Sequence, residues 1–175
     1  MLQIIDSLRD GRDEITSKLY FNSPLGIIEI VGGKDFISSL YFVEKERQTI
    51  NGSYVQNCRR QLEDYFEGKR RSFDLRLAPE GTDFQKRVWA ELINIPYGAT
   101  ESYLDITKKL GDVKAIRAVA NANGQNKISI IIPCHRVIGS DGSLTGYGGG
   151  LWRKKWLLEH EHKYFLGEKQ LVMQF

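Results

Sequence analysis

The order of apolar and polar positions divides the chain into two differently patterned halves. Ile15 to Asn22 and Gly26 to Val31 have strand character, and Ser23-Pro24-Leu25 between them reads as a hairpin turn. Phe36 to Val43 is a third candidate strand. Over Tyr54 to Phe66 the period lengthens. Val55, Leu62, Tyr65 and Phe66 recur near helical spacing, and Gly68 follows as a stop. Leu75 to Gly81 then carries the Pro and Gly of a connector.

Beyond it, helix signals come in series. Thr82 and Gln85 fit a capping box, in which each side chain serves the other's backbone donor. Phe84, Val88 and Leu92 follow at i, i+4 and i+8, and Pro96-Tyr97-Gly98 closes that helix. Ser102 to Asp105 opens another, with Tyr103, Ile106 and Leu110 on one face. Gly111 stops it, and Asp112 can cap a third helix from about Val113 to Ala122, which Gly124 ends. Two short helices joined by a tight glycine turn outline a helix-turn-helix. Ile128 to Ile132 is an apolar run closed by Pro133, and Gly139 to Gly150 reads as a loop or wing. Leu151 to about His160 is a last helix, with Trp152, Trp156 and Leu157 expected to face inward. The pattern predicts an α/β domain over residues 1–78 and a mostly α domain with a winged helix-turn-helix over 79–175.

Composition narrows this little. Of 175 residues 41% are hydrophobic and 27% charged, as in ordinary globular chains. No apolar run reaches the ~18 residues of a membrane span. The start, Met1 to Asp6, lacks the basic flank and long apolar stretch of a secretory signal. A cytoplasmic protein is expected, or a nuclear one in a eukaryote. The net charge of +3 is unevenly spread: from Thr82 onward thirteen Lys/Arg face nine Asp/Glu, whereas before it twelve face thirteen. A nucleic-acid surface in the second half fits this, and so does an ordinary solvated one.

The helix from Val113 places Ala115, Ala118 and Ala122 at i, i+3 and i+7, with Lys114 and Arg117 as its cations. A face of methyl groups can approach a nucleic-acid groove closely. Alanines are equally common where one helix packs against another.

The two cysteines, Cys58 and Cys134, are too few for a disulfide scaffold, and with three histidines they make a structural zinc unlikely on count alone. Cys58 lies in the first helix and reads as a packing residue. Cys134 stands in Pro133-Cys134-His135-Arg136, the most chemically loaded segment. A free thiol, with a pKa of ~8.5, gives little thiolate at neutral pH, so a nucleophilic cysteine needs a base. Adjacent residues of an extended segment point apart. His135 therefore reaches the sulfur only through a turn or a bridging water. A carboxylate is the usual partner for the imidazole, and Glu159 and Glu161 are the candidates. Taken alone, the tetrapeptide is more often a buried inert cysteine beside a solvent-facing histidine.

Its context is more specific. Asn126 to Val137 resembles the active-site segment of the O6-alkylguanine-DNA alkyltransferases. Arg117-Ala118-Val119 upstream stands at that family's spacing, as do Gly146 to Gly150 and Trp156 to Glu161 downstream. The match runs motif by motif over roughly Thr82 to Glu161. It implies a ribonuclease H-like N-terminal domain, a small sheet plus helix, before the winged helix-turn-helix. It also implies repair of O6-alkylguanine, and of O4-alkylthymine, by flipping the nucleotide and transferring its alkyl group irreversibly to Cys134. Each molecule then reacts once, without cofactor or metal, on double-stranded DNA. A monomer is implied, with clustering of copies on DNA left open.

Roles follow residue by residue from the resemblance. Cys134 is the acceptor, His135 the base acting through water, and Glu161, not Glu159, the carboxylate that orients it. Asn126 braces the active-site turn. Tyr103 crowds a phosphate to assist rotation of the nucleotide and can give a proton to the leaving guanine. Arg117 fills the gap left in the duplex, and Lys114, Ala118, Ala122 and Arg136 are expected on the DNA side. Val137, Tyr147, Gly148 and Ser129 are expected to line the base pocket. Two positions depart from the pattern: Gly148 replaces a serine of many members, and Ser129 a proline of the mammalian ones. The zinc ligands of some members' N-terminal domains are not evident. Non-transferring relatives that only mark lesions replace the nucleophile, and here Cys134 is present. A winged-helix regulator using Cys134 as a redox sensor would leave the spacings of Asn126, Tyr147 and Glu161 unexplained.

Overall fold

The computed structural model describes residues 14–172, with side chains as far as residue 166. The opening segment Met1 to Asp6 lies outside the described residues, as do residues 173–175 at the end of the chain. Three strands, β1 (Ser17–Ser23), β2 (Gly26–Gly32) and β3 (Ile37–Val43), form an antiparallel sheet in the order β1-β2-β3. Inward residues alternate on β1 and β2, where Leu19 and Phe21, and Ile28 and Ile30, are buried, and Ile37 and Leu40 of β3 are buried with them. Helix α1 (Ser53–Phe66) lies against β1 and β2 and buries Val55, Cys58, Leu62 and Tyr65. Past its end Gly68 takes a φ of +75°, open to glycine at no cost.

The second half is helical: α2 (Asp83–Ile93), α3 (Tyr103–Lys109), α4 (Ile116–Gly124) and α5 (Leu151–Val172). Two-residue strands β4 (Glu101–Ser102) and β5 (Val137–Ile138) pair in parallel. Thr82 and Gln85 form the expected capping box of α2, and Ser102 and Asp105 form one on α3. Gly111, at φ +82°, turns α3 toward α4. The Asp112 side chain accepts from the Lys114 amide, but the turn it caps, Val113–Ala115, is 3-10, and α4 proper starts at Ile116.

Two inward and outward assignments are corrected. Ala122 was expected to face DNA, yet it is only 2% exposed, and its carbonyl accepts from the buried Trp89 indole. At 100° per residue it falls between Ala118 and Val119, toward the buried sector of Val119 and Asn123. Trp152 was expected inside, yet it is 57% exposed. The buried face of α5 carries Lys154, Leu157 and Glu161 at i, i+3 and i+7, and Trp152 projects from the opposite side.

One contiguous core runs through both halves, from Leu19 to Leu157. The halves also share backbone bonds. The Leu40 amide donates to the Lys127 carbonyl at 2.9 Å and the Ser129 amide to the Leu40 carbonyl at 3.0 Å, so β3 grips the segment leading to Cys134.

Candidate active site

Between Asn126 and Cys134 the chain turns tightly on itself. Ile130 adopts a φ of +71°, a left-handed conformation that costs a β-branched residue on the order of 1–3 kcal/mol. The turn holds because its polar groups are over-determined. The Asn126 amide nitrogen donates to the Ile132 carbonyl at 2.8 Å and to Cys134 Sγ at 3.1 Å, while its oxygen accepts from the Ile128 amide at 2.9 Å. The Ile132 amide returns to the Ile128 carbonyl at 3.0 Å. Cys134 then opens a single 3-10 turn, Cys134–Arg136, that carries His135.

Glu161 receives that histidine. Its Oε1 pairs with His135 Nε2 at 2.8 Å and accepts from the Tyr65 hydroxyl at 2.8 Å and Arg136 Nη2 at 2.9 Å. Its Oε2 accepts from Arg136 Nε at 2.9 Å and the Gly98 amide at 3.0 Å. The four side chains are buried. Burial opposes the carboxylate's charge, but His135 and Arg136 outweigh it and hold the pKa well below the usual range. Burial also lowers the His135 pKa, despite Glu161, so the ring is neutral at pH 7. An ionised carboxylate only accepts, so Nε2 carries the ring's proton and Nδ1 keeps a free lone pair. Nδ1 is buried with no hydrogen-bond partner.

Burial pushes the Cys134 thiol up to about 11, against the opposing pull of the Asn126 amide, the Lys154 charge and the amides of its own turn. At rest it is a thiol whose proton must be taken by another group. Lys154, itself buried, donates to the carbonyls of Val137 at 2.5 Å and Thr145 at 2.6 Å, and burial brings its pKa down to about 8. The Tyr103 hydroxyl donates to the Thr145 carbonyl at 3.1 Å, and burial raises its pKa.

A cavity of about 140 Å³ adjoins Cys134. Asn126, Ser129 and Cys134 wall one part, Gly124, Gly148 and Gly149 another, and Tyr41 and Phe42 of β3 the rest. A Cβ at Gly148 would meet only the Gly124 carbonyl, at 3.5 Å, so the missing serine is not excluded by space. Val137 and Tyr147, expected in the wall, are not part of it. Val137 gives its carbonyl to Lys154, and Tyr147 stands against Gly149 with its hydroxyl buried and unpartnered.

Arg117 and Ala118 are exposed on α4, and Lys114 is exposed in the 3-10 turn before it. A groove of about 520 Å³ runs between Ile116, Arg117 and Ala120 on one side and Tyr103 with the loop of residues 139–146 on the other. Arg136 is not on this face. Expected at the DNA, it is buried, because its guanidinium is committed to Glu161 and, through Nη1, to the Ile95 carbonyl at 2.6 Å. Among the described residues no group of three His, Cys, Asp or Glu side chains is placed to hold a metal. Sequence reading missed Tyr65, Gly98, Lys154 and the β3 wall. Lys154 alone left a trace, as a cation in register with Leu157 and Glu161.

A buried cysteine with a carboxylate-oriented histidine, behind a helix-turn-helix, defines a nucleophilic-cysteine protein with a winged-helix surface. Residues 83–163 match the DNA binding domain of 6-O-methylguanine DNA methyltransferase, and residues 17–79 match its ribonuclease-like domain. The chain belongs to this family. It is 51% identical over 146 residues to the methylated-DNA–protein-cysteine methyltransferase of Methanosarcina barkeri, covering 79% of this chain and 92% of that one. The crystal structure of Mycobacterium tuberculosis O6-methylguanine methyltransferase is similar with a TM-score of 0.77 at 42% identity, covering 84% of this chain and 93% of that one. The same organism's OGT in complex with DNA gives 0.77 at 44%, covering 83% and 92%.

Proposed function

We propose that this chain repairs O6-alkylguanine in DNA by transferring the alkyl group irreversibly to Cys134, as a methylated-DNA–protein-cysteine S-methyltransferase. The observation that carries the reading is the unpartnered His135 Nδ1 behind a buried thiol, with Glu161 fixing the tautomer. In the reaction the Cys134 proton passes to Nδ1, through a bridging water. The sulfur attacks the alkyl carbon, the S–C bond forms as the C–O6 bond breaks, and guanine departs with a proton supplied by Tyr103, which is replaced through solvent by the one that His135 took from the thiol. The thioether has no thiol left, so each molecule turns over once. The Asn126 amide stabilises the charge that develops on sulfur, because it already points at Sγ.

A paired guanine hides its O6 substituent, so the nucleotide must be extruded, at a cost of a few kcal/mol. Exposed Arg117 is suited to fill the gap, with Lys114 and Ala118 along the duplex. O4-alkylthymine, of similar edge chemistry, is a second substrate. The protein acts as a monomer on double-stranded DNA in the cytoplasm, or in the nucleus of a eukaryote. Its acceptor domain spans residues 79–175, behind an N-terminal domain of residues 1–78. No helix among the described residues is long and apolar enough to cross a membrane.

Mass spectrometry after incubation with a duplex containing O6-methylguanine tests this. One methylene is gained on the Cys134 peptide, and none in Cys134→Ala. Folded wild-type protein that gains nothing overturns the reading.

A further inference from the structure

Half of the residues that wall the cavity beside Cys134 are small: Gly124, Gly148, Gly149 and Ser129. The bulk comes from outside the acceptor domain, from Tyr41 and Phe42 at the end of β3. Pairing of Leu40 with the segment around Ile128 carries these two rings there.

Phe42, half-buried near the end of β3, lies under a fixed cation. The Arg153 guanidinium lies 4.5 Å from its ring centroid and 4.4 Å from that of Trp152. The same guanidinium is fixed by two hydrogen bonds, from Nε to the Leu25 carbonyl at 2.8 Å and from Nη1 to the Gly149 carbonyl at 2.7 Å. One end of this clamp is in the hairpin of the N-terminal sheet and the other in the cavity wall. The wall is pressed against the ring: a Cβ on Gly149 would stand 3.0 Å from Phe42 and 2.7 Å from Tyr147. The ring therefore has little room to withdraw when a larger group enters.

We propose that Phe42, clamped by Arg153, sets the upper size of the alkyl group that Cys134 accepts. The N-terminal domain thereby acts on specificity. This rests on Cys134 being the acceptor and its cavity the alkyl site. Phe42 is a specificity-determining residue, and Arg153 a positioning residue acting through it.

The test is single-turnover transfer from duplexes carrying O6-methylguanine or O6-benzylguanine, read as the benzyl-to-methyl rate ratio for each protein. A ratio cancels any loss of folded material, because both rates come from one preparation. Phe42→Ala raises the ratio at least tenfold, and the milder Phe42→Leu raises it by a smaller factor in the same direction. Arg153→Gln, which releases the ring without removing it, raises it about threefold. Lys155→Ala, exposed on α5 and outside both the cavity and the clamp, leaves it within twofold. A ratio unchanged within twofold in both Phe42 variants, with wild type transferring methyl to Cys134, overturns the size limit alone. A wild type that transfers no methyl removes the functional reading and the size limit with it.

Discussion

The protein buries two cysteines, and they differ in their polar neighbours and in the cavity that adjoins Cys134. Cys58 in α1 is 0% exposed and Cys134 is 4% exposed. Burial raises both thiols. At Cys58 nothing offsets it, and the pKa goes far above its usual value. At Cys134 the Asn126 amide, the Lys154 charge and two backbone amides pull back, and His135 stands behind with a free nitrogen. Burial alone makes an inert thiol. A nucleophile needs a dry pocket, a donor for the developing sulfide and a base.

Removing the base should make Cys134 behave like Cys58. His135→Gln keeps an amide able to donate to Glu161 but removes the basic nitrogen. Transfer at pH 7 is expected to fall about 10²- to 10⁴-fold, the usual range for a general base. The pH profiles should separate. In wild type the rate stays level through neutrality and falls only on the acid side, because the His135 pKa lies below the ordinary 6.5. In the variant it should climb about tenfold per pH unit toward the thiol's value of about 11. A variant with the wild-type profile would remove His135 from the reaction.

Glu161→Gln attacks the same difference through stability. It leaves the Arg136 guanidinium buried without its counter-charge. Loss of one partner of a buried ion pair costs about 3–5 kcal/mol. Urea unfolding at pH 7 should show that loss. The depressed Glu161 pKa makes its contribution present above the unfolded carboxyl's value and lost as pH falls. The gap between wild type and variant should therefore narrow in acid. A gap independent of pH would mean that the carboxylate's charge does not matter.

These residues were unequally legible in the sequence. The caps Thr82 with Gln85 and Ser102 with Asp105 were readable because both partners lie within one turn. Cys134 and His135 were readable from their tetrapeptide and its spacing to other motifs. The choice of Glu161 over Glu159 came through family resemblance. Physically it rests on the register of α5, in which Leu157 and Glu161 share the inward face while Glu159 points out. Arg136 misled because a cation beside a DNA-reactive cysteine suggests a phosphate. Its actual partner is 25 residues away. Tyr41 and Phe42 were illegible for the same reason, since only the pairing of Leu40 with Ile128 brings β3 to the cavity. Ala122 was misplaced by about one helical step.

The smallest expected effect on activity sharpens the comparison most directly. Cys58→Ser places a hydroxyl in an apolar site where burial dominates the thiol's behaviour. A buried hydroxyl without a partner costs about 1–3 kcal/mol, so the urea midpoint should drop. The transfer rate should stay within twofold and the stoichiometry at one alkyl group per chain. Iodoacetamide on the native wild type at pH 8 should label Cys134 ahead of Cys58, and in urea it should label both. Equal labelling in the native state would mean that the polar surroundings of Cys134 do not set its reactivity apart from that of Cys58.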